Sequence, residues 1–235
     1  MGQTNSQQPS PPDQQADVIC EVFGQAAVQA AHRLQDYLGF EDPQRKLRPA
    51  TDTLSEIFLV HFISFCVEKG LEEQITTSKL SKQQSLLLGV DWVWTLLGPD
   101  RRVKLQIAVQ ALQMGEPGGG EEAAAGSYCA GGREAALADE LYRRKSRYEK
   151  LEEFCTLVGR DCLGLFLVFG VPGKPKNVRG ILLSSVRRER SQRRLSGEEA
   201  LRRLVTGTDG FLLIRDMLEN GLRQRHGGAL YVHFL

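Results

Sequence analysis

The sequence lacks the short motifs that mark most enzymes and metal sites. It contains no C-x-x-C pair, no H-E-x-x-H, no G-x-S-x-G and no protein-kinase signature. Its four histidines, at positions 32, 61, 226 and 233, do not have metal-ligand spacing. These absences favour a binding protein over an enzyme, and they predict no metal, no cofactor and no small-molecule substrate.

Strong net charge and long apolar runs are also missing. The formal charge of +1 predicts no nucleic-acid partner. No apolar run approaches the roughly 20 residues of a membrane span, and the first thirty residues lack the pattern of a signal peptide. Five cysteines, an odd number, then favour reduced cytosolic thiols. We expect a soluble intracellular chain whose 235 residues, 41% of them hydrophobic, bury a sizeable core.

The N-terminal residues 1–15 are predicted to be a disordered tail, because they carry no large apolar side chain after Met1. Residues 1–6, M-G-Q-T-N-S, fit the pattern M-G-x-x-x-[ST], which makes Gly2 a candidate for N-myristoylation. A single myristoyl chain binds membranes only marginally, with an association constant on the order of 10⁴ M⁻¹. No lysine or arginine precedes Arg33, so the basic patch that usually adjoins an acyl anchor is missing.

Residues 163–169 (L-G-L-F-L-V-F) predict the central strand of a sheet, buried on both faces. The run is apolar or glycine throughout, and Gly170, Pro172 and Gly173 close it. A buried helix segment is the alternative, but the length and the flanks favour a strand. The turn at 170–176 resembles a phosphate-binding loop, yet it lacks G-x-x-x-x-G-K-[ST] and holds two prolines that remove N–H donors.

Periodicity and capping patterns predict the remaining elements, with helices expected at 17–38, 53–70, 81–97, 133–158 and 200–205. Strands are expected at 103–111, 181–186 and 230–235, and 211–222 is either a helix or a strand followed by a helix. The fold class is therefore α+β: a mostly helical single domain over 16–235, packed around a small sheet, with a flexible insert at 115–133. Cys129, within that insert, is expected to be an exposed thiol.

The second and third predicted helices carry more large apolar side chains than one core face requires, so they are either core or interface. Their candidate partner-binding residues are Phe58, Phe62, Phe65, Trp92 and Trp94. His61, on the same apolar face, is interpreted as a core or pocket-edge histidine. Asp91 is interpreted as a solvated or capping carboxylate.

The segment 187–194 is strongly basic. Its five arginines are Arg187, Arg188, Arg190, Arg193 and Arg194. The segment is either a solvated, partly disordered loop or a patch for anionic lipid, worth roughly 1 kcal/mol per arginine near a membrane. Weak nucleic-acid contact is a further alternative, but no aromatic residues interleave the arginines as single-strand binding would require.

Several ordered strings resemble one family. The run 152–166, E-E-F-C-T-L-V-G-R-D-C-L-G-L-F, and the run 169–176, F-G-V-P-G-K-P-K, are similar to the signature of the Rab-fifteen effector protein family. The N-terminal M-G-Q, Y-L-G-F at 37–40, E-I-F-L-V-H-F-I at 56–63 and D-W-V-W-T at 91–95 match in the same order. The resemblance covers most of 20–185 and fades in the insert and after Val186.

The resemblance implies a non-enzymatic effector that binds the GTP-bound form of a Rab GTPase of the Rab-fifteen type or the Rab-three type. It also implies a role in recycling the transferrin receptor from the endocytic recycling compartment, and hence a perinuclear, peripheral position on early or recycling endosomes. Two alternatives stay open. One is a peripheral membrane adaptor held by acylated Gly2 and the arginines of 187–194. The other is an unrecognised enzyme with a phosphate-binding turn at 170–176.

Overall fold

The computed structural model describes residues 11–44, 46–113, 145–207, 214, 217, 218 and 231–234. The helices are α1 (Pro11–Leu38), α2 (Thr51–Glu68), α3 (Lys82–Leu88), α4 (Arg147–Val158), α5 (Leu183–Arg193) and α6 (Gly197–Gly207). The strands are β1 (Ile75–Lys79), β2 (Trp92–Leu97), β3 (Val103–Gln113), β4 (Cys162–Val171), β5 (Lys174–Leu182) and β6 (Tyr231–Phe234).

The six strands form one mixed sheet whose spatial order, β1-β2-β3-β4-β5-β6, follows the chain. Four of the pairings are antiparallel, and β3 with β4 is parallel. Adjacent parallel strands require a crossover, and here α4 lies on that connection. The predicted α+β class, with helices packed around a small sheet, is confirmed.

Strand β4 has the central, doubly buried position that the apolar run at 163–169 predicted. Leu165, Leu167 and Phe169 face the layer formed by α1 and α2, and Phe166 and Val168 face the opposite layer. All five side chains have no exposed surface. The turn that follows is a tight hairpin in which Val171 pairs with Lys174 and Gly173 takes a positive φ of 77°. The plain-turn interpretation of 170–176 therefore fits the backbone.

A polar network ties α3, β2, β3 and α4 together on the second face of the sheet. The Asp91 carboxylate accepts hydrogen bonds from Arg147 Nη2 at 2.9 and 3.0 Å and from the Ala111 N–H at 2.6 Å. Gln110, 1% exposed, donates from Nε2 to the Gly89 carbonyl at 2.6 Å and to the Arg147 carbonyl at 3.0 Å. Asp91 is thus a structural ion-pair partner, and the solvated interpretation was wrong.

The predicted helix over 81–97 is corrected to a short helix followed by a strand. Ser81 and Gln84 form the predicted capping box, but α3 ends at Gly89, which adopts a φ of 68°. A Cβ at Gly89 would also lie 2.6 Å from the Arg147 carbonyl oxygen, so only glycine allows α4 to approach this closely. The segment 92–97 is rich in aromatic and β-branched residues, and it pairs on both sides as a central strand.

Other boundaries also move. Helix α1 begins at Pro11, inside the predicted tail, and a prolyl residue is tolerated there because the first helical N–H groups have no partner within the helix. The predicted strand 181–186 is corrected to β5, which ends at Leu182, and α5 begins at Leu183. Strand β1 was not predicted, and α4 begins at Arg147 behind a Ser146–Glu149 capping box. Residues 1–10, the insert 115–133, Cys129, residues 133–144 and most of 211–222 lie outside the described residues.

Candidate functional site on helix α2

The inner face of α2 builds the aromatic centre of the core. Phe62 lies 5.0 Å from Phe23 and 4.9 Å from Trp94, measured between ring centroids, and Phe58 lies 6.4 Å from Trp92. These five side chains are completely buried. Because edge and tilted ring contacts of this kind add stability to the area they bury, the cluster holds α2 and α1 to the sheet.

Four of the candidate partner-binding residues are therefore corrected to core residues. Phe58, Phe62, Trp92 and Trp94 present no surface to a partner in the folded chain. Phe65 is half-buried at the edge of the same core, and the Lys69 ammonium lies 5.1 Å from the centre of its ring. The aromatic residues were assigned to binding because the sequence could not show that α1 and β2 pack against α2.

The outer face of α2 carries apolar side chains that stay about half exposed. Val60, Ile63 and Val67 are 61%, 42% and 53% exposed. They recur at steps of three and four residues, so they form one stripe along the helix. We call these three residues the α2 stripe. Sequence periodicity could have found it, since a helix that is apolar on both faces is either fully buried or faces a partner.

Polar side chains border the α2 stripe. Glu56, one turn before Val60, forms an ion pair with Lys79 at the end of β1. Ser64 and Glu68 are exposed, and His61 is half-buried beside the stripe. An apolar centre with a polar, solvent-accessible rim is the usual composition of a protein–protein interface.

Elsewhere on the described surface, the exposed apolar residues form no run of three along one helix face. They are Val18, Tyr37, Phe40, Leu47, Leu86, Leu87, Val103, Leu157 and Val158. Scattered exposed apolar residues are normal, and a contiguous group is the informative observation. The α2 stripe is therefore the best-formed interaction surface of the described chain.

The arginine-rich segment is helical, and ion pairs already engage part of it. Arg187 and Arg190 bind the Glu152 carboxylate at 2.6 and 3.4 Å, and Arg193 binds Glu189 at 2.7 Å. Arg188 and Arg194 are exposed, and Arg194 ends α5 with a φ of 54°. The loop interpretation of 187–194 was wrong, and the charge offered to an anionic surface is smaller than five arginines suggest.

The described residues hold no group of three or more histidine, cysteine, aspartate or glutamate side chains placed to bind a metal ion. Cys20, Cys66, Cys155 and Cys162 are free, buried thiols. Burial raises the pKa of Cys66 to about 11. A hydrogen bond with Cys162, together with burial, raises the pKa of Cys155. Thiols held protonated in this way are poor nucleophiles.

Within the described helices, none combines the length and apolarity that crossing a bilayer requires.

The layered fold leaves one apolar helix face exposed with a polar rim, a composition that is typical of protein-binding modules. Comparison with known proteins agrees with this class. The profile of the family described as Rab15 effector matches residues 5–234. The mouse protein named "Rab15 effector protein" is 42% identical over 240 residues, covering all of both chains. The chain belongs to the Rab15 effector family, as its sequence strings predicted.

Proposed function

We propose that this protein is a non-enzymatic effector that binds the GTP-bound form of a Rab GTPase through the α2 stripe. The observation that supports the site is the exposed, regularly spaced group Val60, Ile63 and Val67 on a helix whose other face is locked into the core. Membership of a family named for Rab15 effectors supports the class of partner.

Selectivity for the GTP form follows from how small GTPases change shape. The γ-phosphate and its magnesium ion order the two switch loops, which are released when the nucleotide is hydrolysed. An effector that makes contacts only with the ordered loops binds that state preferentially and needs no chemistry of its own. A rigid helix face suits this task, because little side-chain or backbone freedom is lost when it docks.

The proposal is tested by titrating the chain against Rab15 and a Rab-three paralogue, each loaded with GDP or with a non-hydrolysable GTP analogue. We expect calorimetric binding to the GTP-analogue form and at least about tenfold weaker binding to the GDP form, a difference of about 1.4 kcal/mol. Equal affinity for the two nucleotide states, or binding to neither, would contradict the proposal.

The cellular role we propose is regulation of transferrin receptor recycling from a perinuclear compartment, with the chain peripheral on early or recycling endosomes. It is tested by following labelled transferrin in cells that lack the protein and are then supplied with the wild-type chain or with a form in which the α2 stripe is changed to serine. We expect only the wild-type chain to restore the recycling rate. If both forms restored the recycling rate equally, the α2 stripe would not be required for recycling.

A peripheral membrane adaptor, held by acylated Gly2 and the 187–194 arginines, is the second candidate. Residues 1–10 lie outside the described residues. The ion pairs to Glu152 and Glu189 neutralise part of the positive charge with which the arginines would bind a membrane. Vesicle flotation without any Rab distinguishes the two, since the adaptor must float alone and must lose that property on Gly2→Ala substitution.

A further inference from the structure

A cavity of about 590 Å³ opens beside the first turns of α1. Ala16 and Ile19 of α1 line one side, and Leu96, Leu97 and Val103 of the β2–β3 hairpin line the other. The volume lies within the range of pockets that enclose a small organic ligand. Val103 is 50% exposed and Leu97 is half-buried, so apolar surface stays open at the mouth.

Three charged residues line this cavity: Asp100 and Lys104 pair with each other, and Asp161 is exposed. Lys104 Nζ lies 3.0 Å from a carboxylate oxygen of Asp100, and the Arg102 N–H donates to the same carboxylate at 3.2 Å. Hydrogen bonds from Lys104 and Arg102 lower the pKa of Asp100, so the pair stays ionised and mutually neutralised. The cavity has an apolar floor, two of its three lining charges neutralise each other, and the third is in water, so it suits an uncharged alkyl chain better than an ion.

The chain itself carries an attachment point for such an alkyl group. Gly2 stands in the N-myristoylation pattern, nine residues before Pro11, where α1 begins. Nine residues span up to roughly 30 Å. Ala16, at the cavity, lies only about 7.5 Å further along α1 than Pro11, at 1.5 Å per residue. A segment that folds back along the helix therefore has ample length to deliver an acyl chain to the cavity.

We propose that the cavity lined by Ile19, Leu97 and Val103 is the binding site for an N-terminal myristoyl group on Gly2 of the same chain. The modification joins the myristoyl carbonyl of myristoyl-coenzyme A to the Gly2 amine after removal of Met1; the thioester bond breaks, and the free coenzyme thiol leaves with the proton. The acyl chain then covers the exposed surface of Val103. Sequestered in this way, it is withheld from membranes until it leaves the cavity.

The inference does not depend on Rab binding. Residues 60, 63 and 67 of the α2 stripe do not line the cavity, and the experiment contains no GTPase. The tethered acyl chain acts as a ligand at an effective concentration in the millimolar range, which lets a weak site fill. A ligand that binds only the folded state raises the melting temperature.

The test compares the full chain produced with and without co-expressed N-myristoyltransferase. We expect the acylated chain to melt at least about 4 °C higher than the unmodified chain. It should bind neutral phosphatidylcholine vesicles at least about tenfold more weakly than the roughly 10⁴ M⁻¹ typical of one myristoyl chain. In the acylated Val103→Glu chain, which places a charge at the mouth of the cavity, the melting increment should vanish and vesicle binding should rise to that level.

Val18→Glu is the matched control, because Val18 lies on α1 with 52% exposure and does not line the cavity. It should keep both the melting increment and the weak vesicle binding. Gly2→Ala should behave as the unmodified chain in every assay. The proposal is overturned if the transferase leaves Gly2 unmodified or if acylation does not change the melting temperature. It is also overturned if Val103→Glu and Val18→Glu have the same effect on vesicle binding.

Discussion

Replacing the three residues of the α2 stripe with serine separates binding from folding. The substitutions Val60→Ser, Ile63→Ser and Val67→Ser remove apolar surface that the folded chain leaves in water. Full burial of such a side chain is worth about 2 kcal/mol, so their exposed fractions of 61%, 42% and 53% correspond to about 1 kcal/mol each on docking. The triple variant should lose about 3 kcal/mol of binding free energy, an affinity about 150-fold weaker.

Stability should change little, because serine and the β-branched residues have similar helix propensities and exposed substitutions usually alter stability by less than about 0.5 kcal/mol. The assay is calorimetric titration with Rab15 carrying a GTP analogue, alongside urea unfolding of the same samples. The control replaces three apolar residues of similar exposure away from the stripe, namely Val18, Val103 and Val158, with serine. If the stripe variant binds as tightly as the control, the assignment of the binding face to α2 is wrong.

Three further predictions concern the scaffold. Gly164→Ala should destabilise the fold by about 1–3 kcal/mol in thermal unfolding, since the new Cβ would lie 2.8 Å from the Leu183 side chain; a change below about 0.5 kcal/mol would contradict this packing. Asp91→Ala should cost about 2 kcal/mol or more in urea, because it leaves the Arg147 guanidinium without its carboxylate; Asp91→Asn, which keeps the backbone hydrogen bond, should cost less. Cys66, with its pKa raised to about 11 by burial, should alkylate at pH 8 at least about 100-fold more slowly in the folded chain than in urea, measured by peptide mass spectrometry; equal rates would contradict its burial.

Local sequence patterns predicted the parts of this fold that depend on local chemistry. The apolar run of β4 is bounded by glycine and proline, so its length and its burial on both faces could be predicted from the sequence. The Ser81 capping box likewise marked the start of α3 correctly. The end of α3 was missed because Trp92, Val93 and Trp94 continue an apolar pattern that suits a helix as well as a buried strand. The break lies at Gly89, which is left-handed and is followed by Val90 and Asp91 before β2 begins.

The site was harder to predict because it depends on which side of α2 meets the sheet. Phe58 and Phe62 are larger than Val60 and Ile63, and size alone made them look like hot-spot residues. The same size makes them the best core residues once α1 and β2 lie against α2. The pairing of β1 with β2 and the burial of Gln110 between α3 and α4 are long-range facts that one sequence does not carry.

Helix α1 packs against β5 and β6, the last strands described, as well as against α2. A ribosome therefore finishes the first helix long before the strands that cover part of its apolar face have emerged. Until then, Phe23 and its neighbours on α1 lack part of their core contacts, and the nascent chain exposes an apolar helix face to chaperones. A segment that is synthesised early and buried late slows folding, because contacts between residues far apart in the sequence form slowly. A short truncation that removes β6 should therefore destabilise α1, at the opposite end of the chain, first.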